Sequence, residues 1–172
     1  MTEAQPSVTP VAVKYGLITA LVGIVYSLIL MVTDLGDNRI LSSIGYVIMI
    51  VGIVLAMKQY KSINYGYMSY GQGLGIGSLV SVIFGFLSGI FTWLYTTFVD
   101  PDYMARMMEK QRVELLEQGL SDEQIDASMK IAENFQGPFT MIFGAAVITL
   151  IVGFILSLII AAVMKNSRPE FE

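Results

Sequence analysis

Charged side chains are missing from four long intervals of this chain and crowded into the segments between them. None occurs from Tyr15 to Thr33, from Ile40 to Met57, from Gly71 to Phe98, or from Pro138 to Met164. An α-helix of about 20 apolar residues crosses a hydrocarbon layer about 30 Å thick. The pattern therefore predicts four transmembrane helices, at 15–33, 40–57, 71–98 and 138–164. The third, at about 42 Å for a rise of 1.5 Å per residue, is longer than the layer and has to tilt or protrude. The first is too long for a signal-peptide core and lacks an Ala-x-Ala exit, so it reads as a retained span.

The intervening segments set the connections. Asp34-Leu35-Gly36-Asp37-Asn38-Arg39 concentrates turn formers and charge, which makes the first two spans a hairpin. Lys58 to Tyr70 is a polar connector whose tyrosines at 60, 65, 67 and 70 suit a membrane interface, and Trp93 and Tyr95 form a second aromatic belt at the far end of span three. Residues 1–13, with Pro6 and Pro10, read as a disordered lead, and 166–172 as a tail. Residues 14–165 then make a single all-α transmembrane domain, four spanning helices in two hairpins.

The segment 100–136 holds nine acidic and four basic residues and carries helix signals of its own. Asp100 before Pro101 reads as an N-cap, with Val99 and Met104 as its hydrophobic staple. Gly119 ends that helix, and Ser121-Asp122-Glu123-Gln124 is a capping box that opens another, with Leu120 and Ile125 as a second staple. A short amphipathic helical hairpin results. Met104, Met107, Met108 and Leu115 share one face of its first helix, and Ile125, Met129 and Ala132 one face of its second. The thioether-rich face is a candidate partner surface, weighed against packing onto the protein itself or the bilayer surface.

Within the spans the small residues are periodic. Gly73, Gly77, Ser81, Gly85 and Gly89 recur every fourth position, as do Ala145, Thr149, Gly153, Ser157 and Ala161, and Thr19, Gly23 and Ser27. Such ridges let helix backbones approach closely, so Gly73, Gly77, Ser81, Gly85, Gly89, Gly153, Ser157 and Ala161 are read as helix-packing residues. The run Gly71-Gln72-Gly73-Leu74-Gly75 is a weak phosphate-loop match: no strand pattern precedes it and no Lys-Ser/Thr follows. Gln72, an amide at the mouth of span three, is a candidate for a lipid head group or for interfacial water.

Composition narrows the chemistry. The chain is 55% hydrophobic and 14% charged, with mean hydropathy +0.67, beyond what soluble domains show. Its net charge of −4, without a Lys/Arg-rich run, offers nucleic acid no footprint. There is no Cys, which removes disulfides and thiolate chemistry, and no His, which removes the commonest general base and metal ligand. No span contains an ionisable group that would relay protons or activate a hydroxyl such as Ser81 or Ser157. The acids Asp100, Asp102, Asp122 and Glu123 are explained as caps and first-turn charges better than as metal ligands. We therefore expect no catalytic residue, no metal and no cofactor.

Orientation rests on the basic residues. Lys14, Lys58, Lys61, Lys165 and Arg168 fall on one side, Arg39, Arg106, Lys110, Arg112 and Lys130 on the other. Lys14, Lys58 and Lys165 directly abut spans, which places both termini in the cytoplasm and 100–136 outside.

Several segments together resemble a known family. They are Tyr15-Gly16-Leu17-Ile18, Gly52 to Lys61, Tyr67-Met68-Ser69-Tyr70-Gly71-Gln72, Phe98-Val99-Asp100-Pro101, Gly119 to Ile125, and Ile159 to Lys165. Over about residues 12–165 the chain is similar to the four-helix bacterial membrane family catalogued as domain of unknown function forty-one ninety-nine. The resemblance implies an inner-membrane protein of Gram-negative bacteria and brings no catalytic residues with it. The expected role is a non-enzymatic accessory or assembly subunit, in the lipid bilayer, contacting a membrane-protein partner or a second copy of itself. The competing expectation is a carrier or helper for lipid-linked substrates beside a membrane glycosyltransferase.

Overall fold

A computed structural model describes residues 6–168 and shows an all-α protein with six α-helices among them. They are α1 (Val8–Val32), α2 (Arg39–Ile63), α3 (Tyr70–Leu94), α4 (Tyr103–Glu117), α5 (Asp122–Asn134) and α6 (Pro138–Met164). A π-helical turn, Tyr95–Val99, prolongs α3 and closes where the Asp100 amide donates to the Tyr95 carbonyl. The four long helices are the four spans. Much of their apolar surface faces outward, including Leu21 and Ile29 on α1 and Val147, Ile159 and Val163 on α6. Apolar exposure on that scale suits lipid as the solvent.

The helices begin where side chains cap them. Ser7 caps α1 through Thr9, so the helix starts ahead of the expected lead boundary: residues 8–13 are helical, and residues 1–5 lie outside the described residues. Asn38 accepts from the amides of Ile40 and Leu41 at the start of α2, and a Ser69–Gln72 capping box opens α3. The two helices of the 100–136 segment are present, with the capping box of α5 formed by Ser121 and Gln124. Gly119, at φ 80°, ends α4 in the left-handed conformation that glycine tolerates, and the Leu120 amide reaches back to the Leu115 carbonyl. One cap differs from expectation. α4 starts two residues late, after Asp102, whose side chain makes no capping bond, and the Asp100 carboxylate is held by Arg106.

α3 is the hub. It packs most extensively on α6, next on α1 and less on α2, and α2 also lies against α1. The α3–α6 seam is an antiparallel meeting of the two small-residue ridges: Gly73 faces Ala161, Gly77 faces Ser157, Ser81 faces Gly153, and Gly85 faces Thr149. Gly89 ends the row against the backbone of Met141 and Ile142. The α1 ridge is shared between two neighbours, Thr19 against Gly52 of α2 and Gly23 against Phe84 of α3. The continuous core, with Met49, Ile53, Met57, Tyr60, Met68, Ile76 and Val80, lies in the half of the molecule nearer the termini. In the other half the helices open: Arg39 to Ile48, the first ten residues of α2, include no buried residue.

Met68 and Asn166 exchange a pair of backbone hydrogen bonds at 2.9 Å, so the start of the tail lies along the 64–69 connector, while residues 169–172 are outside the described residues. Lys61 Nζ donates to the Met164 carbonyl at 3.0 Å, satisfying an end of α6 that has no following turn.

Candidate functional site

An open cleft of about 1020 Å³ lies between the α4–α5 hairpin and the start of α2. Gly36, Asp37, Arg39 and Ser42 form one wall, and Met104, Met107, Met108, Lys110 and Glu114 lie along the other. The sequence leads to this geometry in three steps. The α1–α2 turn is tight because Asp34 takes a left-handed φ of 56°, which Asp tolerates better than most residues, and this turns its carboxylate outward from the end of α1. The π-helical turn and Pro101 then bend the chain out of α3. Finally α4 returns over the turn, positioned by Tyr103.

Tyr103 is buried, its ring edge-on to that of Tyr95 with centroids 6.0 Å apart, and its hydroxyl sits so close to Gly36 that a Cβ there would have to push the phenol aside. Burial, and secondarily the Asp34 carboxylate, holds the Tyr103 phenol above its usual pKa, so it stays neutral. Around this pin runs a group of ion pairs. Lys110 Nζ donates to Asp34 Oδ2 at 3.0 Å and lies 3.4 Å from Asp37 Oδ2; Arg106 holds both oxygens of Asp100, at 3.1 and 2.7 Å, and Arg39 pairs with Glu114. The hydrogen bond from Arg106 keeps the Asp100 carboxyl below the ordinary carboxylate range, and the bond to Asp34 raises the Lys110 ammonium. All are solvent-exposed, so each pair is a modest and salt-sensitive tie.

The candidate partner residues come together here, though less openly than a free surface. Met104, Met107, Met108 and Leu115 are each half-buried, and Met108 sulfur accepts from Gln136 beyond the end of α5. Ile125, on the facing helix, is fully buried. The two amphipathic faces therefore cover one another in part; Val113 is exposed in the cleft, and Leu116, Ile131 and Phe135 are exposed away from its lining.

The helix-packing residues carry no free chemistry. Thr19, Ser81, Thr149 and Ser157 each donate a hydroxyl hydrogen bond to the carbonyl four residues back, at 2.6–2.8 Å, so each is satisfied within its own helix. Gln72 Oε1 accepts from the Ser69 amide at 2.8 Å, so this side chain caps the start of α3. Asp122 and Glu123 occupy the first turn of α5 as expected, and no group of three acidic side chains suited to a metal ion occurs among the described residues. Tyr103, Asp34 and Gly36 were not legible as site residues. Their only signals were an isolated tyrosine in a charged segment and a turn that any helical hairpin would need.

The sequence model of a family described as "Protein of unknown function (DUF4199)" matches residues 14–166. No curated protein sequence and no solved structure matches the chain.

Proposed function

The chain belongs to the DUF4199 family, whose description carries no activity, and from that premise we propose that it is a non-enzymatic accessory or assembly subunit of a bacterial inner-membrane complex. The observation that carries this reading is the α4–α5 hairpin. It is held over the α1–α2 turn by Tyr103 and exposed ion pairs, leaves a cleft walled by three methionines and Val113, and leaves Leu116, Ile131 and Phe135 exposed outside that cleft. Thioethers adapt to a partner's surface, and apolar residues on a charged hairpin gain from being covered. The spans support the same reading. Their charge-free stretches hold no Asp, Glu, Lys, Arg or His, and their buried hydroxyls donate within their own helices, which argues against proton coupling and nucleophilic chemistry there. Both termini are cytoplasmic in this reading and the hairpin is outside.

A second reading, a helper for lipid-linked substrates, is favoured by one feature: the cleft opens beside the exposed first turns of α2, where an acyl chain would have access. One experiment separates them. Affinity purification from native membranes in mild detergent, with mass spectrometry, compares wild type with a Met104→Ser, Met107→Ser, Met108→Ser variant. A stoichiometric protein partner that the variant loses supports the subunit reading. A protein recovered alone, with the same lipid retained in both forms, overturns it and supports the lipid reading.

A further inference from the structure

The end of the molecule opposite the hairpin is electrostatically unlike it. Lys14, Lys58, Lys61, Lys165 and Arg168 all lie there, and no Asp or Glu among the described residues does. The described acids are all at the hairpin end, and so are the ion pairs, which engage Arg39, Arg106 and Lys110. The basic-end cations have found neutral partners instead. Arg168 donates to Asn64 Oδ1 at 3.1 Å and lies over the rings of Tyr65 and Tyr67, Lys61 donates to a carbonyl, and Lys14 sits 5.7 Å from the centre of the Tyr15 ring. Such contacts orient a cation without cancelling its charge.

The positions are ordered as well as the signs. Tyr15 Oη reaches Gln59 Oε1 at 3.5 Å between antiparallel α1 and α2, so Lys14 and Lys58, the residues beside them, stand at one level. Lys165 follows the last residue of α6, whose end Lys61 joins to the last turn of α2. Lys14 and Lys58 are exposed within the terminal turns of α1 and α2 and Lys165 just past α6, where long lysine stems reach the level of the lipid head groups. We propose that this end is a docking surface for anionic phospholipid, with the ammonium groups of Lys14, Lys58 and Lys165 taking the head-group phosphates while Lys61 and Arg168 hold the helix ends in place. The complementarity is of charge: unpaired cations at this level meet a phosphate surface that supplies the missing counter-charge. It does not depend on what the hairpin binds.

The test uses the full-length protein in neutral detergent, with phosphatidylglycerol or phosphatidylcholine added, read by native mass spectrometry and thermal unfolding. Phosphatidylglycerol is expected to remain bound and to raise the unfolding temperature more than phosphatidylcholine, the excess shrinking at high salt. A Lys14→Gln, Lys58→Gln, Lys165→Gln variant should lose phosphatidylglycerol binding by about tenfold or more, while the matching Lys→Arg variant keeps it and both unfold like wild type in phosphatidylcholine. Equal responses to the two lipids would overturn the proposal. So would the same loss from Arg39→Gln, Arg112→Gln, Lys130→Gln at the other end, or equal stabilisation by inorganic phosphate alone.

Discussion

A β-carbon added at Gly89 would stand 2.8 Å from the Ile142 Cα and 2.9 Å from the Met141 carbonyl oxygen, and backbone cannot step aside as a side chain would. Gly89→Val should therefore force α3 and α6 apart and destabilise the protein by about 1–3 kcal/mol. Gly45, with nothing within 4 Å of its own would-be Cβ, is the control: Gly45→Ala should not lower the unfolding temperature in detergent and should raise it slightly, by the helix preference of Ala over Gly. Asp100 gives a second single-residue prediction. Its carboxyl is held below the ordinary range, chiefly by the Arg106 hydrogen bond, so the folded form binds protons less readily than the unfolded one. The stability it lends is thus full above the normal carboxylate pKa of about 4 and is lost as pH falls below it. Lys110 is raised, mainly by Asp34, so its contribution is present at neutral pH and disappears in strong alkali. Amide exchange in α4, corrected for intrinsic rates, should be flat through neutral pH and accelerate below about pH 4, and an Asp100→Asn variant should flatten that acid limb. At this scale the sequence was read well where spacing carries the signal, as in the glycine row, and poorly where a residue's role comes from a distant neighbour. Nothing about Tyr103 itself announces that Gly36 will lie under its hydroxyl.

Short helices depend on their ends, and α5 is a clear case. Its capping box satisfies two backbone donors that an exposed helix of 13 residues would otherwise leave to water. Ser121→Ala is expected to cost the hairpin about 1 kcal/mol and to speed exchange of the α5 amides about fivefold, with the α3 and α6 amides unaffected. The same local grammar misled at α4. Asp-Pro is a strong opening signal, yet the Asp100 carboxylate is drawn chiefly to a guanidinium on the next turn, and the helix begins at Tyr103. The start of α1 moved the other way, because Ser7 supplies a cap and Pro10 falls in the first turn, where proline is tolerated. Local signals thus located every helix, and long-range side-chain competition shifted the boundaries.

Over the whole molecule, the absence of cysteine makes orientation directly measurable. With both termini cytoplasmic, a Glu123→Cys variant in intact cells stripped of their outer membrane should label with a membrane-impermeant maleimide, and Ser62→Cys should label only after the inner membrane is opened. The reverse pattern would overturn the proposed orientation. The count of spans followed from the charge-free intervals, and the hairpin of the first two from the turn formers between them. The central place of α3 was harder to see: three spans carry small-residue ridges, and which ridge meets which depends on rotations about helix axes that a one-dimensional period does not specify. That central place has a consequence for biogenesis. The chain emerges from the ribosome in order, so α1 and α2 are ready to pair while α3 is being made, but the glycine row of α3 must wait for α6. The 38 residues of 100–137 come between them, a delay of a few seconds at about 5–20 residues per second. During that pause the nascent protein holds its largest contact surface uncovered in the bilayer, and a truncated product ending before α6 would be marked for quality control by that missing half-seam.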